Sequence, residues 1–180
     1  MERLLASPYG MIGSDGALSA FGVSTPHPRA YGTCPRVLGR YVRERRVISL
    51  EEAVRRMTSA PAALLGLADR GRLQPGAVAD LVVCDPATVS ERATFEAPHQ
   101  YPVGIPHVFV RGVAVVRNGE VTGALPGMVL RGRGWAAPQT ERSAHGTFRS
   151  IDLPLTCFAI WRRRRRQGSG RMVDCLGAGS

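Results

Sequence analysis

The sequence predicts a mixed α/β chain, ordered to about Gly132 and followed by a basic tail. Three observations predict it. A short apolar segment runs into a polar turn near the start, helical spacing with a capping signal occupies residues 37 to 66, and short alternating strands begin at residue 78. An apolar fraction of 44% over 180 residues fits one globular domain rather than a disordered chain.

Taken in order, Met11-Ile12 between Gly10 and Gly13 reads as a short buried strand that delivers Asp15 into the turn Ser14-Asp15-Gly16. Residues 17–36 are rich in Gly, Ser, Pro and Thr, and a loop of that length is predicted to be functional. Val37 to Arg46 has the spacing of a surface helix, with Val37, Leu38 and Tyr41 on one side. Ser49-Leu50-Glu51-Glu52 is a capping box that starts the next helix at Leu50, whose apolar face is Leu50, Ala53, Val54 and Met57. Pro61 suits the first turn of a second helix, entered at Ser59 or Ala60 and closed by Gly66. Beyond it, Val78 to Cys84, Val108 to Val110 and Val113 to Arg117 read as strands, with Asn118-Gly119 as a hairpin turn.

From Gly134 onward the pattern breaks down, apart from an apolar run at Leu153 to Trp161 and five consecutive arginines at Arg162 to Arg166. The formal net charge of +10 is unevenly spread: residues 1–133 carry 16 arginines against 11 acidic residues, and residues 134–180 carry 8 against 3. No lysine occurs, which removes lysine catalysis. Cys34, Cys84, Cys157 and Cys175 lack the short spacing of a zinc or redox motif and read as small buried hydrophobes. The start lacks the apolar stretch of a signal peptide, and no run approaches the roughly 20 apolar residues that span a bilayer, so the expected compartment is the cytoplasm and no membrane partner is expected.

Two segments carry a resemblance. The first is Met11-Ile12-Gly13-Ser14-Asp15-Gly16, followed by His27-Pro28-Arg29 and Gly32-Thr33-Cys34-Pro35-Arg36-Val37-Leu38-Gly39. The second is Gly71-Arg72-Leu73-Gln74-Pro75-Gly76-Ala77-Val78-Ala79-Asp80-Leu81-Val82-Val83-Cys84-Asp85. In this order, over roughly residues 1–132, they resemble the C-terminal end of the N-acyl-D-amino-acid deacylases of the amidohydrolase superfamily, and no single short motif could establish as much.

The resemblance implies that residues 1–66 are the last strand and helices of a (β/α)8 barrel. Residues 67–133 would then be the C-terminal half of a small β-sandwich domain, and 134–180 an unstructured Arg-rich tail. It implies that Asp15 stands at the C-terminal end of the eighth strand as the catalytic residue. In the family a zinc-bound water attacks the amide carbonyl, and this aspartate takes its proton and passes it to the leaving amine. An isolated Ser-Asp-Gly would more commonly be only a turn; the surrounding match reverses those odds. Arg29 matches an arginine that grips the substrate's free carboxylate, and Ser14 and Gly16 are implied substrate contacts beside the carboxylate. His27 reads as an ordinary polar loop residue, and Cys34 stands where the family pattern has a phenylalanine.

Zinc is implied for the complete family enzyme, but its ligands are a His-x-His pair and further histidines from earlier strands. The four histidines here, His27, His99, His107 and His145, are unpaired in sequence, so no metal ligand is assigned to this chain. The implied function is deacylation of N-acyl-D-amino acids, with this chain an incomplete fragment whose partner is the small-molecule substrate and whose complement is the missing N-terminal segment. The alternatives are a fragment of a cyclic amidohydrolase, of hydantoinase or dihydroorotase type, and an inert remnant with a basic binding tail. An arginine run outside any recognisable fold is usually solvated, which argues against nucleic acid as a partner.

Overall fold

The computed structural model describes residues 1–17, 20–132 and 134–135, together with the backbone of two strands at 157–162 and 171–173. Helix α1 (Glu2–Ala6) leads into an extended segment over residues 10–14. The expected strand at Met11-Ile12 does not form. A strand exists only through its ladder, and the Ile12 N–H is instead satisfied by the Arg56 carbonyl at 3.2 Å. Ile12 is half-buried against the core while Met11 is exposed, so the apolar pattern marked burial at Ile12 alone and pairing wrongly.

The predicted loop is shorter than expected, because helix α2 (Arg29–Arg36) already occupies its last residues. Pro35 lies inside α2 and cannot donate to the carbonyl one turn earlier. The chain continues as a π-helix, Val37–Glu44, in place of the α-helix expected over residues 37–46, and Arg45 N–H bonds to the Arg40 carbonyl at 2.8 Å. Val37, Leu38 and Gly39 are buried there while Arg40 and Glu44 are exposed, the one-sided burial expected of a surface helix.

Helix α3 (Leu50–Met57) starts where the capping signal places it, with the Glu52 N–H donating to Ser49 Oγ at 3.2 Å. The reciprocal half of the capping box is absent, because the Glu52 carboxylate turns along the helix to Arg55 and Arg56. Helix α4 (Ser59–Leu65) follows and ends on Gly66 in the left-handed region, φ 70°.

The sheet runs β4-β3-β2-β1-β5-β6, with β1 at Leu81–Cys84, β2 at His107–Val110, β3 at Val113–Arg117 and β4 at Glu120–Val121. Two tight hairpins build its outer half. Arg111-Gly112 and Asn118-Gly119 both have positive φ throughout, the turn geometry that matches strand twist. The remaining strands, β5 (Cys157–Arg162) and β6 (Arg171–Val173), correct the expectation of an unstructured tail. β1 has β2 on one edge and would leave its other edge's N–H and C=O groups without partners; β5 pairs there in parallel, Leu81 opposite Cys157. The other tail residues, His145, Cys175 and Arg163 to Arg166 among them, lie outside the described residues.

One core joins the helices to β1. Val37, Leu38, Ala53, Val54, Met57, Val82, Cys84 and Val89 are buried together, so residues expected on either side of a boundary near 66 share the same apolar cluster. Each large member contributes about 1.5–3 kcal/mol by leaving water. Beneath it, Arg70 and Asp80 form a buried ion pair at 2.8 Å, and the second Asp80 oxygen accepts from the Arg111 N–H. Among the described residues no helix is long and apolar enough to cross a membrane.

Candidate functional site

Asp15 leaves the extended segment in the left-handed region, φ 48°, a conformation that aspartate tolerates better than most residues. Its carboxylate is aimed outward and is 85% exposed. Arg29, the first residue of α2, turns back so that Nη2 lies 2.9 Å from Asp15 Oδ2. The two residues that sequence reasoning singled out for catalysis and carboxylate binding are therefore brought together. One Arg29 donor is used by Asp15, and the guanidinium fork has others with which to take a second carboxylate.

Ser14 and Gly16 hold the turn. Gly16 N–H reaches Ser14 Oγ at 3.4 Å, and a side chain on Gly16 would sit 2.9 Å from Ala30 Cα. Gly16 is thus the point where the Asp15 turn is packed against α2, one residue beyond Arg29. His27, just before the Pro28 N-cap, accepts the Arg29 N–H on Nδ1 at 3.0 Å, and its ring meets Phe95 edge-on at 4.9 Å. Cys34 is half-buried against the core, where burial pushes its thiol pKa up, and it acts as packing.

Sequence reasoning missed the residues that seat the loop between Asp15 and Arg29. His99 bonds to Gly22, Ser24 and Tyr31, and Phe21 stacks on Tyr101 with centroids 4.9 Å apart. No short-range motif links these positions. The available signal was the cluster His99-Gln100-Tyr101 in a stretch otherwise poor in aromatic residues. His107, on β2, accepts the Asn118 N–H and belongs to the hairpin.

Zinc at a catalytic site takes about three protein donors. Among the described residues no three His, Cys, Asp or Glu side chains converge, so these residues by themselves do not fit a metal centre. A cleft of about 280 Å³ beside α4, lined in part by Ala63, Gly66, Leu67 and Arg70, shares no residue with the Asp15 turn.

The amidohydrolase family model matches residues 2–122. The chain is 49% identical over 130 residues to a D-aminoacylase of Alcaligenes xylosoxydans xylosoxydans, covering 72% of this chain and 26% of that protein. It is 50% identical over 131 residues to the N-acyl-D-glutamate deacylase of the same organism, covering 73% and 26%. A crystal structure of D-aminoacylase superposes with a TM-score of 0.64 at 50% identity, over 68% of this chain and 25% of that one. The N-acyl-D-glutamate deacylase of Bordetella bronchiseptica, solved with zinc and a phosphonate mimic of the tetrahedral intermediate, gives 0.58 at 48% identity, over 68% and 27%. The chain thus spans about a quarter of the length of the relatives it matches. With two thirds of its residues matched, 2–122 in one continuous stretch, the chain belongs to the amidohydrolase family.

Proposed function

We propose that this chain supplies the C-terminal quarter of a hydrolase that deacylates N-acyl-D-amino acids. The observation that carries this reading is the pairing of an exposed Asp15, presented on a left-handed turn, with Arg29 at 2.9 Å. In the complete fold residues 1–66 would close a (β/α)8 barrel and residues 67–133 would belong to a small β domain, which puts Asp15 at the barrel's C-terminal face. The relatives' names supply the substrate class: D-aminoacylase, N-acyl-D-glutamate deacylase and N-acyl-D-aspartate deacylase.

Each residue then has a chemical task. Asp15 accepts the proton of the attacking water and returns it to the leaving amine, so one carboxylate serves both steps. Arg29 holds the free carboxylate of the substrate with its remaining donors, and that contact sets the amide relative to Asp15. Ser14 and Gly16 fix the turn and present their backbone to the substrate. The zinc of the relatives would be bound by the portion of the fold that this chain does not contain, and the chain alone is expected to be inactive.

The test is reconstitution. The chain is combined with a separately produced segment of D-aminoacylase that ends where the similarity begins, and amino-acid release is assayed on N-acetyl-D-amino acids with zinc present. Release by the mixture, absent from either part and from a mixture carrying Asp15→Asn, supports the reading. Opening of a hydantoin ring without deacylation would assign the chain to the cyclic amidohydrolases instead.

A further inference from the structure

We propose that His99 is a positioning residue for substrate binding: its neutral imidazole latches the loop between Asp15 and Arg29 onto the segment 95–101. The inference rests on the reading above for the role of Arg29, and on the following contacts for the latch itself.

Residues 21–25 of the loop are all exposed, and burial begins again only at Pro26. Phe21 and Val23 are each more than half exposed, and Gly22 and Ser24 have positive φ, 80° and 61°. Ser24 in particular sits in a region that a residue with a side chain enters at a cost. What fixes the loop is His99. The Gly22 N–H points at His99 Nδ1 at 3.2 Å, while His99 Nε2 lies 2.9 Å from the Ser24 carbonyl. A backbone amide can only donate and a carbonyl can only accept, so both contacts demand the same tautomer, with the proton on Nε2. The Tyr31 hydroxyl, 3.0 Å from Nδ1, then shares that nitrogen's single lone pair with the Gly22 N–H in a three-centre bond, and it comes from α2 two residues after Arg29.

The rings repeat the connection. Phe21 stacks on Tyr101 and lies 5.4 Å from the His99 ring, and Tyr31 meets both His99 and Tyr101 edge-on at 5.7 Å. At the far end of the loop His27, which accepts the Arg29 N–H, rests on Phe95. The middle of the loop, its C-terminal end and the first turn of α2 are therefore seated on one short segment distant in sequence. Loosening His99 frees the loop from that seat and lets Arg29 lose its register with Asp15, which a substrate carboxylate reads as weaker binding.

Two measurements test this. In the intact chain, ¹⁵N histidine spectra should show His99 as the Nε2–H tautomer, and the Gly22 amide should exchange slowly. His99→Ala should raise Gly22 exchange at least tenfold and leave strand β1 unchanged. His99→Asn, whose Oδ1 replaces the Nδ1 acceptor, should restore the protection. An Nδ1–H tautomer, or fast Gly22 exchange in the unaltered chain, overturns the latch whether or not the alanine variant folds. In the reconstituted hydrolase, His99→Ala should raise KM for an N-acyl-D-amino acid about tenfold with kcat within about twofold, and His99→Asn should recover most of it. An unchanged KM overturns the positioning role. A reconstituted mixture that hydrolyses no N-acyl-D-amino acid removes the functional reading and the substrate role with it, while the spectra still decide the latch.

Discussion

Arg29 Nη2 and Asp15 Oδ2 stand 2.9 Å apart on a surface where the carboxylate is 85% exposed, an arrangement that contributes little to stability and much to placement. An exposed pair of this kind is worth about 0–1 kcal/mol. Asp15→Asn should therefore shift the urea midpoint of the chain by an amount equivalent to less than about 1 kcal/mol. The same substitution in the reconstituted hydrolase should lower kcat by about 10²–10⁴, the usual contribution of a positioned acid–base group. A large stability loss with little loss of turnover would make the pair structural and end the catalytic assignment.

Arg70 and Asp80 present the opposite case. Their 2.8 Å contact is buried on both sides, and Asp80 also fixes the β2–β3 turn by accepting the Arg111 N–H at 2.8 Å. Arg70→Ala leaves the Asp80 carboxylate in the interior without its counter-ion, whereas Asp80→Ala leaves Arg70 only the exposed Asp69 carboxylate, 3.2 Å from its Nε, and takes away the acceptor of the Arg111 N–H. Asp80→Ala or Arg70→Ala should each cost about 3–5 kcal/mol, and the double replacement by Leu and Met should cost less than either. Chemical denaturation of the three variants checks this, and additive losses would show that the pair is not coupled.

How much of this was legible in the sequence follows from which signals were local. Ser49 at the start of α3, Gly66 at the end of α4 and the Asn118-Gly119 turn act through their immediate neighbours, and each was read correctly. The segment at Ile12 was read as a strand because burial has the same apolar signature whether or not a ladder forms. The π-helix was read as an α-helix, since the effect of Pro35 passes into the following turns and is not visible in spacing. In the site, Asp15 and Arg29 were legible only through the family resemblance. His99, whose bond to Gly22 spans 77 positions of the sequence, had no short-range motif and only the His99-Gln100-Tyr101 cluster to mark it. The tail strands were missed because a parallel partner for β1 is a property of an open edge elsewhere in the fold.

Glu52 gives the chain a defined acid response. Hydrogen bonds from Arg55, and against the opposing push of burial those from Arg56, hold its carboxyl at about 2. The ordinary value is about 4.3. The folded value is the lower one, so the stabilisation is fully present above the ordinary glutamate range and is lost as pH falls from about 4 to about 2. Allowing for solvent around the half-exposed Arg55, the contribution is about 2 kcal/mol. Glu52→Gln should reduce stability by that amount at neutral pH and by almost nothing at pH 2. Parallel denaturation curves for the two proteins across this window would remove the assignment.

Gly104 separates two reasons for requiring glycine. Its φ is +76°, and an added Cβ would lie 2.5 Å from Val89 N and 2.6 Å from Val89 Cα, both backbone atoms of a fully buried residue. The Gly104 carbonyl also accepts the Asp85 N–H at 2.9 Å, so the strand-exit turn and this glycine are fixed to one another. Gly119 has a similar φ, +84°, with nothing within 4 Å of the same added atom. Gly119→Ala should therefore cost about 1 kcal/mol, the conformational penalty alone. Gly104→Ala adds a clash that can be relieved only by moving backbone in the core, and its cost should exceed that of Gly119→Ala by about 2 kcal/mol or more. Thermal or urea unfolding of the two variants side by side checks the difference. Equal costs would mean that residues 85–89 move away freely, and that Val89 is not the fixed point of the core its burial implies.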